Sequence, residues 1–326
     1  MKQQYHAFDV LKFIIAFLVI AIHCNVQDCS LLLRKVCDLA VPLFFMMSGY
    51  LLLKNVNKWG GYAKRYIIKL SKLYLLWSII YLPLAIKGYD EWGLSLPIAI
   101  YGYVRDFFFM GQHYMSWQLW YLLALIYGVC MIKLFQKMKI SIEGCAIIGI
   151  LLTFIGLLMN IIHDASLQNN IVTSIVSGYF ELFRTVRNGI FNGFLFIVLG
   201  MLLCKHLEAL KRIPKYVIFM ILLLSIGLYL YDVPFALHLL SFTLLYCILL
   251  IRMPKVSYYE WLRNMSTLIY FSHMLFIALI KYAFTSVASF GEKWLYASIM
   301  SFVVSAILLQ LAKNNKLEFL NRLLGK

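Results

Sequence analysis

FDVLKFIIAFLVIAIHC, residues 8–24, is the stretch whose reading decides the fold. Asp9 and Lys12 stand at its start, His23 near its end, and only apolar residues separate Lys12 from His23. A run this apolar and this long reads as a membrane-spanning helix. Lys12 and His23 are eleven residues apart, which at about 100° per residue is three turns plus roughly 20°, so both lie on one face. Along the axis they are on the order of 16 Å apart. Ionisable groups inside a span are costly and usually face a bundle interior or an aqueous cavity, where they carry chemistry or substrate. The same pattern is also compatible with Lys12 reaching the headgroups along its aliphatic stem and His23 meeting the opposite interface.

Composition extends this reading to the whole chain. Of 326 residues, 63% are hydrophobic and 13% charged, and the mean hydropathy is +0.83. These values describe an all-α polytopic membrane protein. Length alone would suggest two soluble domains. No polar linker or composition break interrupts the sequence, so residues 1–326 read as a single integral-membrane domain. The first apolar run is too long for a signal peptide and lacks a small-residue cleavage site.

About ten spans of bilayer length follow, roughly 8–24, 39–54, 66–86, 118–134, 142–162, 189–204, 216–231, 234–251, 266–284 and 294–312. With both termini in the cytoplasm, 22 of the 30 basic residues fall on the inner side and 8 on the outer. That bias is the positive-inside pattern, so the net charge of +16 reports orientation and no nucleic-acid partner is expected.

The connections assigned to the outer side differ in character. Residues 25–38 read as a short polar hairpin. Residues 87–117 are rich in aromatics and suit an interfacial or re-entrant segment. Residues 163–188 end in FELFRTVRN, where Arg184 and Arg187, three apart, are expected on one helix face beside Asn188. Two cations there suit a sugar, carboxylate or phosphate, and Arg184 pairing with Glu181 is the structural alternative. The seven cysteines lack metal-site spacing and no metal is expected; Cys24, Cys29 and Cys37 fall on the outer side, where a disulfide is permitted.

Soluble-enzyme signatures such as HExxH, CxxC or a Gly-rich phosphate loop are absent, so any activity is built from spans and short loops. Span two carries Ser48, Gly49 and Tyr50 in its inner half, where glycine admits a neighbouring backbone or a ligand. Next come Lys58, Lys64, Arg65, Lys69 and Lys72, interleaved with Trp59, Tyr62 and Tyr66. Such a patch suits anionic headgroups or the phosphates of a nucleotide-bearing cofactor. Gln118, Trp120 and Tyr121 open span four, and an aromatic belt accounts for the last two. In span nine, Ser266 and His273 are seven residues apart on nearly one face, and His273 lies at mid-membrane.

The order of these motifs resembles acyltransferase family 3, bacterial ten-span proteins that include O-acetyltransferases of cell-surface glycans. The resemblance runs over nearly the whole chain, through FDVLKFIIAFLVIAIHC, VPLFFMMSGYLLL, YAKRYIIKLSKLYLLW, QLWYLLALIY, RNGIFNGFLFIVLGMLL and MSTLIYFSHMLF. Family members carry a basic residue, usually Arg, eleven positions before a His in span one. Lys12 and His23 stand at that spacing, with Lys keeping the charge and losing the planar fork. Gln118 replaces a His found in many members. The SGNH-type hydrolase domain of some relatives is not expected in this chain.

What the resemblance implies is a plasma-membrane enzyme that moves an acetyl or other acyl group from cytoplasmic acyl-CoA to a hydroxyl of an extracytoplasmic glycan or lipid-linked saccharide. His23 is then the general base. Lys12, Lys64 and Arg65, with Ser48 and Gly49, are assigned to the cofactor. Asp9, Tyr50, Gln118, Trp120, Tyr121, Arg184, Arg187, Asn188, Ser266 and His273 are assigned to substrate or oxyanion. The chain also resembles the membrane half of serine racemases, which points to a substrate-uptake module. A non-catalytic partner in polysaccharide export is the third reading.

Overall fold

A computed structural model describes residues 5–58, 60–165, 170–254, 256–283, 289–313 and 323–324. Lys2, Trp59, Lys255, residue 284 and most of the run from Lys313 to Lys326 lie outside them. Every regular element among the described residues is helical. The helices are α1 (His6–His23), α2 (Leu31–Asp38), α3 (Ala40–Val56), α4 (Tyr62–Glu91), α5 (Leu96–Arg105), α6 (Trp120–Lys137), α7 (Ile142–Asp164), α8 (Ile171–Phe183), α9 (Phe194–Leu210), α10 (Lys215–Leu230), α11 (Ala236–Leu250), α12 (Tyr259–Ala283) and α13 (Phe290–Lys313).

Eight helical segments among the described residues are long and apolar enough to cross a membrane, and the chain is a polytopic helical membrane protein. They match eight of the ten expected spans. The other two are α10 and α11, equally apolar but only 16 and 15 residues long. At about 1.5 Å per residue each covers on the order of 24 Å, short of a typical hydrocarbon core. The expected polar hairpin at 25–38 is mostly helix, a 3-10 turn at Val26–Cys29 followed by α2. The aromatic stretch holds α5 and a π turn at Asp106–Met110, and 163–188 holds α8. All seven cysteines are free thiols, Cys24 and Cys37 buried and Cys29 exposed.

The chain forms two compact units, Met1–Met47 with His206–Lys326, and Ser48–Lys205. In the first, α1 packs along α12 and both pack on α13. His6 stacks on Tyr259, Asp9 meets Arg263, and His23 stacks on His273, so α1 and α12 run parallel. Parallel spans require an odd number of crossings between them. That parity holds whether α10 and α11 both cross or neither does, and it excludes a lone crossing by either short helix, α5 or α8. Trp294 fastens α13 to α1 by donating its Nε1–H to the Phe17 carbonyl at 3.0 Å. The buried Lys35 ammonium of α2 donates to the Tyr229 carbonyl at 3.0 Å and to Asp232, tying α2 to the end of α10.

In the second unit α6 packs on α4 and on a π turn, Gly189–Gly193, that opens α9. Two glycines let backbones touch. A Cβ on Gly49 would stand 1.9 Å from the Ile197 carbonyl oxygen, and one on Gly189 would stand 2.2 Å from that of Ala124. Small residues at such crossings substitute for the hydrophobic drive that lipid removes. Gly49→Ala therefore overpacks a backbone contact that no rotamer change relieves. Its expected cost is about 1–3 kcal/mol, read as a lower unfolding midpoint in detergent.

Candidate active site

Two polar pairs sit on the α1–α12 interface, one towards each end. Near the start of α1, the Asp9 carboxylate accepts from Arg263 Nε at 2.9 Å and from Nη2 at 3.0 Å, a fork-to-fork pair. The Asp9 side chain is 6% exposed and that of Arg263 41%. At the far end, the His23 and His273 rings stack at 5.3 Å with 26° between their planes. His23 is half-buried and His273 fully buried. Lys12, half-buried on α1, lies between the two levels.

The tautomer of His273 follows from its partner. Nδ1 is 3.2 Å from the Ile269 carbonyl oxygen, which only accepts, so Nδ1 carries the proton. In the neutral ring Nε2 then keeps its lone pair, and it has no hydrogen-bond partner among the described residues. The buried Ser272 hydroxyl, one residue away, has none either. The more accessible His23 imidazole lies against this ring. Ser266, on the same helix, spends its hydroxyl on the Arg263 carbonyl at 2.8 Å.

The remaining sequence-assigned residues lie in the Ser48–Lys205 unit. Ser48 Oγ and the Tyr121 hydroxyl are 2.9 Å apart. Gly49 faces the backbone of α9 and Tyr50 is fully buried. Lys64 and Arg65 are exposed in the first turn of α4, and Tyr62 stacks on Tyr66 behind them. Gln118 is buried in a 3-10 turn, Trp117–Leu119, at the head of α6.

Arg184 and Arg187 do not share a helix face, which corrects the spacing argument. Helix α8 ends at Phe183 because Arg184 adopts the left-handed conformation, φ 52°, and its N–H closes on the Phe180 carbonyl at 2.9 Å. Arg187 turns elsewhere, with its guanidinium 5.6 Å from the centre of the Trp120 ring. Asn188 caps the π turn by accepting from Ile190 and Phe191 N–H at 2.9 and 3.1 Å. Its role in the fold is therefore local, and it is buried.

Sequence reasoning passed over three groups. Arg263 is one, the partner of Asp9. Asp106, in the π turn after α5, accepts from Arg105 Nε and Nη2 at 2.9 and 2.7 Å. Burial raises its carboxyl above the ordinary range, against the opposing pull of Arg105 and Arg184. His113 is buried, stacked 4.1 Å from the Tyr103 ring, with Nδ1 3.4 Å from the Tyr89 hydroxyl. Burial pushes its imidazole down to about 4. The available signal was an Arg-Asp pair and a His inside a strongly aromatic stretch.

A model of an acyltransferase domain, that of acyltransferase family 3, matches residues 5–310. The chain belongs to this family. Similar curated proteins include an amino-acid racemase of Enterococcus faecalis, 30% identical over 210 residues, or 61% of this chain and 28% of that protein. A serine/alanine racemase of Enterococcus gallinarum is 30% identical over 238 residues, 68% of this chain and 32% of its own. The chain thus spans about a third of the length of these relatives. No solved structure matches it.

Proposed function

We propose that this membrane acyltransferase takes an acetyl or other acyl group from acyl-CoA on the cytoplasmic side and esterifies a hydroxyl of an extracytoplasmic glycan. The observation that carries this reading is the His23–His273 pair, two imidazoles stacked at 5.3 Å, with His273 buried and held through Nδ1 on the Ile269 carbonyl and His23 the more accessible. His23 is the more accessible ring and is the base; His273 positions it and remains neutral, since two adjacent imidazoliums repel. The acceptor oxygen attacks the thioester carbonyl while its proton passes to His23. The carbon–sulfur bond then breaks, and the proton returns to the departing CoA thiolate.

The inner-side excess of basic residues supports a cytoplasmic N-terminus, which puts Lys12 at the donor end of α1 and His23 about 16 Å further on. Lys12 is the cation of α1 assigned to the donor's phosphates; within the Ser48–Lys205 unit the candidates are Lys64 and Arg65, with Ser48 and Tyr121 as hydroxyl donors of suitable chemistry. The bacterial plasma membrane is the location this reading requires.

A second reading rests on the racemase-named relatives: the membrane half admits an amino acid such as serine. One experiment separates the two. Vesicles containing the protein are given acetyl-labelled acetyl-CoA on the cytoplasmic face with surface glycan on the other, and labelled serine in a parallel sample. Alkali-labile label on the glycan, with CoA released and no serine accumulated, is expected. Serine accumulation with no transfer of label overturns the acyl-transfer reading.

A further inference from the structure

A cavity of about 660 Å³ opens among α5, α7 and α8, and its wall chemistry is specific. One guanidinium there is already used: Arg105 gives two hydrogen bonds to a single oxygen of Asp106, both side chains being less than 15% exposed. Arg184 is only loosely paired with it, its Nε 3.9 Å from that same oxygen, an ion pair without a hydrogen bond, and its side chain 58% exposed. The left-handed turn that ends α8 sets it there, a conformation that non-glycine residues rarely adopt. Glu181 lines the same cavity and forms no ion pair with Arg184 among the described residues. The His163 and Phe180 rings, stacked at 3.9 Å and nearly parallel, add an aromatic wall, and Ser177 adds a hydroxyl.

These groups ask for a ligand with three features. An acid group suits the exposed fork of Arg184, whose ion pair with Asp106 uses no hydrogen bond, since guanidinium binds carboxylate through paired N–H donors. Hydroxyl donors suit the carboxylate of Glu181 and the hydroxyl of Ser177. A C–H face suits the aromatic wall. The volume falls in the range of small-molecule sites, so a free amino acid would meet both charges and leave most of the space empty. A neutral sugar would fill the space and leave Arg184 unused.

We infer that this cavity binds an acidic sugar unit of the acceptor, with its carboxylate on Arg184 and its hydroxyls on Glu181 and Ser177. The inference rests on the reading of the protein as a glycan acyltransferase, and it adds that the glycan is anionic at the unit held here. The test is donor-free binding to full-length protein in nanodiscs at low salt, comparing a glucuronate-containing disaccharide with its neutral glucose counterpart. The acidic sugar should bind about 10-fold tighter or more, the worth of a charge-assisted pair. Arg184→Gln should abolish that preference, Arg184→Lys should keep part of it, and Glu181→Gln should weaken both ligands by a few-fold. Equal affinities, no binding of either sugar, or a preference that survives Arg184→Gln would overturn the assignment. CoA release from acetyl-CoA, measured separately, keeps the two ideas distinguishable. Acidic-sugar binding without turnover removes the enzymatic reading alone, and turnover with equal affinities removes this site alone.

Discussion

His23→Gln should lower acyl transfer by roughly 10²-fold or more while leaving acyl-CoA binding nearly intact. Glutamine keeps a polar side chain of similar reach and cannot take up a proton, so it isolates base catalysis, which is worth about 10²–10⁴-fold, from packing. The cations assigned to the donor begin at Lys12, on the order of 16 Å away along α1, so the effect belongs in kcat and not in donor affinity. His273 supplies the comparison. His273→Phe keeps an aromatic ring stacked on His23 and removes Nε2 together with the bond to Ile269. If His273 positions His23, this variant should lose about tenfold and keep a pH profile set by His23. Should His23→Gln turn over near the wild-type rate while folded His273→Phe is inactive, the base is His273 and the assignment within the pair reverses.

Much of α1 was legible because its signal is local. Apolar length marks the span, and an eleven-residue separation places Lys12 and His23 on one face without knowledge of any neighbour. His273 was visible for the same reason, as an imidazole at mid-span. What pairs with what was not legible. Asp9 and Arg263 are 254 residues apart, and their meeting depends on the parallel register of α1 and α12. The error at Arg184 has a different cause. FELFRTVRN reads as helix running into span six, yet Asn188 is a cap, and the residues before it turn out of the helix so that its side-chain Oδ1 can accept from Ile190 and Phe191 N–H. An Asn ahead of an apolar run is a recognised start signal, and it implied a break upstream. Gly49 is the third case: glycine announces a close approach, and only the fold tells that the partner is the backbone of α9.

The Asp9–Arg263 pair carries the largest expected effect on stability, and the effect should be lopsided. Asp9 is almost entirely out of contact with solvent, whereas the Arg263 side chain is 41% exposed. Arg263→Ala removes the partner and leaves a carboxylate in the α1–α12 interface with two unmet acceptors. Uncompensated buried charge of this kind costs about 3–5 kcal/mol, and partial solvation of the arginine puts the expected value near 3. Asp9→Ala leaves the guanidinium behind instead, on a flexible stem that is already part-solvated and reaches water, so its cost should be nearer 1 kcal/mol. The double variant should be less destabilised than Arg263→Ala alone, because removing both partners removes the orphaned charge. Unfolding of the four proteins in a denaturing-detergent titration reads all three quantities. If the two single variants unfold at the same detergent fraction, the pair is not held as a buried carboxylate with an outward-reaching arginine, and the register of α1 against α12 would have to be drawn differently.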